Sequence, residues 1–160
     1  MGTADAVDRE AAWLTTSGDS LPALLAADGG PWDLIQAYQP RVVPTQKKSI
    51  FVLRKDFDDD RFANIQKMIT YQFILRINWP ILAGSGSAEA EQRALDKAID
   101  LLVVRIRGLL QDKTHGNRFL SVAENPSKIA VSFTDPERTI GEKRLEAEIT
   151  YAVDDYVINA

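Results

Sequence analysis

The chain has 160 residues, 19 Lys and Arg against 23 Asp and Glu for a formal net charge of −4, one histidine and no cysteine. It is the length of one domain and can bury a core without covalent staples. The missing cysteine excludes disulfides, thiolate nucleophiles and sulfur-based zinc sites, and the dispersed basic residues exclude nucleic-acid affinity that rests on clustered Lys and Arg. No apolar run reaches the length of a membrane span, and Asp5, Asp8, Arg9 and Glu10 interrupt the place where the apolar part of a signal peptide would fall, so a soluble intracellular protein is expected.

In chain order, residues 1–40 predict a region of short helices. Residues 5–15 are Ala-rich with Val7, Trp13 and Leu14 on one side. Ser20-Leu21-Pro22 reads as an N-cap and early helical proline leading into residues 23–27, which Gly29-Gly30 end. Residues 31–38 are expected to add two helical turns before Pro40 and Pro44 force extended backbone.

The body, residues 41–160, completes a single expected domain. Ser49-Ile50-Phe51-Val52-Leu53 is β-rich and is expected to pair antiparallel with a long strand over residues 67–79, through a ten-residue loop at 56–65. In the long strand every odd position from Ile69 to Trp79 is apolar, while Thr70, Gln72, Arg76 and Asn78 fall on the opposite face. A Gly84-Ser85-Gly86-Ser87 joint precedes a helix predicted over residues 88–111. There Leu95, Ile99, Leu102, Val103, Ile106, Leu109 and Leu110 form one stripe at a period near 3.6. Ser87 is the predicted N-cap, Glu89 and Glu91 the favourable acids of the first turn, Arg105 and Arg107 the favourable bases near the end, and Gly116 the left-handed stop. Strands are expected over 118–123 and 128–134, the second with Ile129, Val131 and Phe133 on one face. A loop over 135–141 leads to a last strand from residue 142 to about 153, with Leu145, Ala147, Ile149, Tyr151 and Val153 inward. The pattern predicts an α+β fold of two layers, an antiparallel sheet with one long amphipathic helix across one face and short N-terminal helices.

Chemistry is harder to find. His115 sits beside Gly116 just past the helix, where an imidazole meets free carbonyls or water. No serine occupies a nucleophile elbow, and the Gly84–Ser87 joint lacks the lysine and glycine spacing of a phosphate loop. Asp56, Asp58, Asp59 and Asp60 crowd one short segment, but a calcium loop counted from Asp56 would need Gly and Glu where Arg61 and Lys67 stand. A solvated acidic loop, or one meeting a basic partner, is the expectation. Asp154 and Asp155 are expected to be exposed, the pairs Lys47-Lys48, Arg54-Lys55 and Lys143-Arg144 to be solvated strand ends, and Trp13, Trp32 and Trp79 to be core or interface anchors. No catalytic residue, metal site or cofactor is expected.

The order of a helical N-terminal region, a hairpin whose long second strand ends near Trp79-Pro80, one helix crossing the sheet and closing strands through Tyr151 resembles the tail terminator proteins of long-tailed bacteriophages. The likeness spans nearly the whole chain and rests on element order and size. It implies a structural virion protein without catalytic residues, located at the head–tail junction and assembled in the host cytoplasm. Such a protein forms a homo-oligomeric ring, a hexamer in that family, on the end of the tail tube, stops tube polymerisation and offers a docking surface to the head–tail connector. Its implied partners are copies of itself, the tail tube protein and connector proteins; DNA is only a passing occupant of the lumen, repelled by acidic loops. A heterologous ring needs two complementary faces on each chain. The candidate interaction residues are Asp56, Asp58, Asp59, Asp60 and Arg61 in one loop, Gln72 and Arg76 on the polar face of the long strand, and Asp135, Glu137 and Arg138 in the other loop. A head-completion or stopper ring protein, a generic interaction module, and a small metal-dependent enzyme using the Asp run are the alternative readings.

Overall fold

The computed structural model describes residues 5–16, 21–61, 66–81, 87–107, 114–123, 128–135 and 143–158, with the side chains of 56–61, 66–68 and 156–158 left out. The fold is α+β. Helix α1 (Ala6–Thr15) precedes strands β1 (Leu34–Ala37), β2 (Ser49–Arg61) and β3 (Gln66–Pro80), helix α2 (Ala88–Arg107), and strands β4 (Ser121–Val122), β5 (Ile129–Phe133) and β6 (Arg144–Ile158). The six strands form one sheet in the order β1-β2-β3-β6-β4, with β5 also on β6. All its pairs are antiparallel except β1 with β2, which run parallel.

The centre of the molecule follows the expected alternation. Ile69, Tyr71, Phe73, Leu75, Ile77 and Trp79 of β3 are all buried, as are Leu145, Ala147, Ile149, Tyr151 and Val153 of β6. They share one apolar cluster with Leu95, Ile99, Leu102 and Ile106 of α2 and with Val7, Trp13 and Leu14 of α1. The period of α2 places its stripe on the sheet, and Ser87 caps it, its Oγ accepting the Ala90 N–H at 3.1 Å. Trp79 joins the layers by donating its indole N–H to Glu91 Oε2 at 2.8 Å. Trp32 meets Trp79 edge-on at 5.1 Å, so all three tryptophans are buried anchors.

Several expectations are corrected. Of the helical piece at 23–27, only a 3-10 turn at Ala26–Asp28 forms, closed by Gly29 at φ 93°. Gly30 is required there because a Cβ would lie 2.2 Å from the Leu24 carbonyl carbon. Residues 31–38 are not helical. Leu34, Ile35, Gln36 and Ala37 instead pair with Ser49, Ile50, Phe51 and Val52, because a neighbouring strand satisfies their backbone groups where a two-turn helix would leave most of them open. The strand expected over 118–123 shrinks to two residues after a turn in which His115, Gly116 and Asn117 all have positive φ.

The largest correction concerns the loop expected at 56–65. Strand β2 continues to Arg61, paired with Lys67, and a register shift between Arg54 and Phe57 inserts one extra residue, a β-bulge. Beyond it Phe57 faces Tyr71, Asp58 faces Thr70, Asp59 faces Ile69 and Asp60 faces Met68. Strand β3 is paired along its whole length with β6 as well, so this acidic segment is the edge of a continuing sheet. The Gly84-Ser85-Gly86 joint, the last turn of the predicted helix with Leu109 and Leu110, and most of the 135–141 loop lie outside the described residues.

Candidate functional site

Among the described residues, the densest arrangement of polar side chains lies under α1 and was not visible in the sequence. Glu10, His115 and Arg105 are fully buried. Glu10 Oε1 lies 2.8 Å from His115 Nδ1, and Glu10 Oε2 accepts the Tyr151 hydroxyl at 2.7 Å. His115 Nε2 is 2.7 Å from the Ile106 carbonyl. A carbonyl only accepts, so Nε2 carries a proton, and one further proton bridges Nδ1 and Oε1. Trp13 stacks on the imidazole, centroids 3.5 Å apart and planes 8° from parallel. The histidine therefore does meet a carbonyl late in α2, as its position implied, but its second partner comes from the other end of the chain. These contacts hold His115 in the left-handed region at φ 50°, where a non-glycine residue costs about 1–3 kcal/mol.

Arg105 and Arg9 extend this network in two directions. From α2, Arg105 donates to the backbone carbonyls of Trp13, Thr16 and Pro22, satisfying the end of α1 and the segment after it. Burial lowers the Arg105 pKa, with Glu10 opposing. From α1, Arg9 reaches Asp155 Oδ2 at 2.8 Å, and the same oxygen accepts the Tyr71 hydroxyl at 3.2 Å. Burial works against the Arg9 charge, yet Asp155 outweighs it and leaves the Arg9 pKa raised. Burial first, then the Asp155 charge, push the Tyr71 phenol above its usual range; burial and Glu10 do the same to Tyr151. Asp155 is thus a buried ion-pair partner and not an exposed carboxylate. Asp154, partly exposed, accepts from Thr70 at 2.8 Å and Ser121 at 3.2 Å.

The predicted interaction residues are spread along the sheet. Gln72 and Arg76 are exposed on the outer face of β3, where Arg76 contacts Glu148 at 3.3 Å and Gln39 at 3.2 Å. These three border a shallow depression of about 220 Å³ with Asn78, Arg144 and Glu146. Asp135 follows Thr134, whose N–H bonds the Glu146 carbonyl, so it lies at this same end. Asp58 is opposite Thr70, which faces Asp154, eight positions further along β6 and thus about 26 Å away. Asp58 and Asp135 therefore lie toward opposite ends of one sheet. The side chains of Asp56, Asp58, Asp59, Asp60 and Arg61 lie outside the described residues, as do Glu137 and Arg138 entirely. Among the described residues no three His, Asp or Glu side chains are grouped to hold a metal ion, and no helix is long and apolar enough to cross a membrane.

Among the described residues, the sheet boundary at β5 has no paired strand on its outer side. β5 is held by β6 on one side, and its core-face residues Val131 and Phe133 are 36% and 48% exposed. The alternation of Ile129, Val131 and Phe133 marked the face; the exposure of its last two residues was not encoded locally. No protein-family model matches the chain, and no curated protein matches it.

Proposed function

We propose that the chain is a structural assembly subunit, a tail terminator that forms a ring on the end of a phage tail tube, halts tube growth and presents a docking surface to the head–tail connector. The observation that supports this reading is the length of the sheet. Strand β3 has 15 residues, about 50 Å of extended backbone, whereas α2 has 20 residues and covers about 30 Å. Over the described residues the triple-stranded β2-β3-β6 blade is longer than its helix, with Asp58, Asp59 and Asp60 toward one end and Asp135 at the other, a geometry suited to touching two different neighbours at once. The buried polar groups meanwhile anchor α1.

Purified tail tubes give the test. The protein should cap one end in negative-stain micrographs and arrest elongation, with tube and connector proteins bound on opposite sides. Replacing Asp58, Asp59 and Asp60 together by Ser should abolish capping while the melting curve stays within a degree or two. Normal capping by the triple variant would remove the acidic segment from the docking surface, and failure of the parent protein to bind tubes or connectors would overturn the reading itself.

A further inference from the structure

The backbone of β5 shows what its open edge is built to receive. Thr134 donates its N–H to the Glu146 carbonyl at 3.0 Å, and the register continues as Phe133 with Ala147, Ser132 with Glu148, Val131 with Ile149, Ala130 with Thr150 and Ile129 with Tyr151. In an antiparallel ladder hydrogen-bonded pairs alternate with non-bonded ones, so Ala130, Ser132 and Thr134 spend their N–H and C=O groups on β6. The corresponding groups of Ile129, Val131 and Phe133 point away from the sheet. Those same three residues stand on the core face, since their partners Tyr151, Ile149 and Ala147 are buried. The edge therefore combines outward backbone groups with an apolar strip. It also lacks the usual defences of an edge strand: Ile129–Phe133 contains no proline, lysine or bulge.

We propose that β5 pairs with β5 of a second copy, antiparallel about a two-fold axis through Val131, to make one continuous sheet. In this register Val131 faces Val131, Ile129 faces Phe133 and Phe133 faces Ile129, so every outward donor meets an outward acceptor. The side chains form an unbroken apolar strip on one face, with two aromatic–β-branched pairs. Ala130 and Ser132 face each other on the other face, where neither is bulky. The flanks are complementary in charge. Lys128 and Asp135, both exposed, bracket the strand, and antiparallel pairing brings Lys128 of one copy one position from Asp135 of the other at both ends. A parallel pairing would set like charges together. The residue contacts are self-complementary, as an isologous dimer requires. This inference uses the edge strand alone and does not rest on the ring reading.

Because the chain has no cysteine, single-cysteine variants report the register without background. Non-hydrogen-bonded antiparallel positions hold Cα atoms about 4.5 Å apart, within disulfide reach. An Ala130→Cys protein mixed with a Ser132→Cys protein in glutathione redox buffer should give mixed disulfide dimers at least tenfold faster than either protein alone. Light scattering should show reversible dimers, weakened at least tenfold by Val131→Arg with circular dichroism unchanged. Lys128→Asp should weaken the dimer, and adding Asp135→Lys should restore it. A protein monomeric to millimolar concentration, or a mixture that cross-links no faster than its components, would overturn the proposal, whether β5 binds an extended segment of another protein or nothing. Rings built through other surfaces would change the mass without producing the mixed disulfide, so the two readings fail separately.

Discussion

The two helices are fastened to the same sheet by opposite means. α2 lays Leu95, Ile99, Leu102 and Ile106 on it, a non-directional attachment proportional to area. α1 also buries Val7, Trp13 and Leu14, but its position is fixed by Glu10 against His115 and Tyr151, Arg9 against Asp155, and Arg105 on its terminal carbonyls. An apolar stripe tolerates small shifts. A buried hydrogen-bonded cluster specifies one pose, and each group removed leaves a partner stranded.

That contrast can be broken most severely at α2. Ile99→Asp would bury a carboxylate in the centre of the apolar cluster, and the expected loss exceeds about 5 kcal/mol, comparable to the whole stability of a domain; circular dichroism should show an unfolded chain at room temperature. Glu10→Ala attacks α1 instead. It strands His115 and Tyr151 and should cost about 3–5 kcal/mol. Hydrogen exchange should accelerate first in α1 and in the turn at 114–119, while β3 and β6 remain protected.

Tyrosine ionisation probes the same cluster more gently. The folded state holds the Tyr71 and Tyr151 phenols protonated above their ordinary pKa, whereas the unfolded chain releases those protons near pH 10. The unfolded state thus binds fewer protons in alkali, so this contribution is intact below about pH 10 and is lost as pH rises beyond it, at up to about 1.4 kcal/mol per pH unit for each tyrosine. Denaturation midpoints measured from pH 8 upward should fall more shallowly in Tyr71→Phe and Tyr151→Phe than in the parent, even where the variants start lower. The smallest effect belongs to the cap of α2: Ser87→Ala should cost about 1 kcal/mol and shift the chemical denaturation midpoint without changing its slope.

What was legible in the sequence divides along the same line. Strands β3 and β6 and helix α2 announce themselves by period, because their buried face is set by neighbours two, three or four residues away. The fastening of α1 has no such signature: Glu10 and His115 are 105 residues apart, and Arg9 and Asp155 are 146 apart. Nothing near His115 in sequence names its carboxylate. β1 was misread because Leu34-Ile35-Gln36-Ala37 is too short to show a period, and its conformation is decided by parallel pairing with β2. The acidic segment was misread for a different reason: aspartate disfavours strands, yet β3, itself paired on its other side with β6, supplies a backbone template that overrides the local preference. Of the candidate interaction residues, Gln72 and Arg76 do lie on the outer surface as alternation implied, and Asp135 lies at the far end of the sheet from Asp58.

The irregularity in β2 between Arg54 and Phe57 works as a half-period phase shifter. Strand side chains repeat every two residues, and across the supernumerary residue the positions opposite the odd-numbered, buried residues of β3 change from the even Ile50 and Val52 to the odd Phe57 and Asp59. Gain or loss of a residue there would change which of residues 57–61 stand opposite Ile69 and Tyr71 and leave the pairing of Ile50 and Val52 as it is. The acidic tip can in this way be retuned by insertion or deletion, decoupled from the packing that keeps the rest of the strand in place.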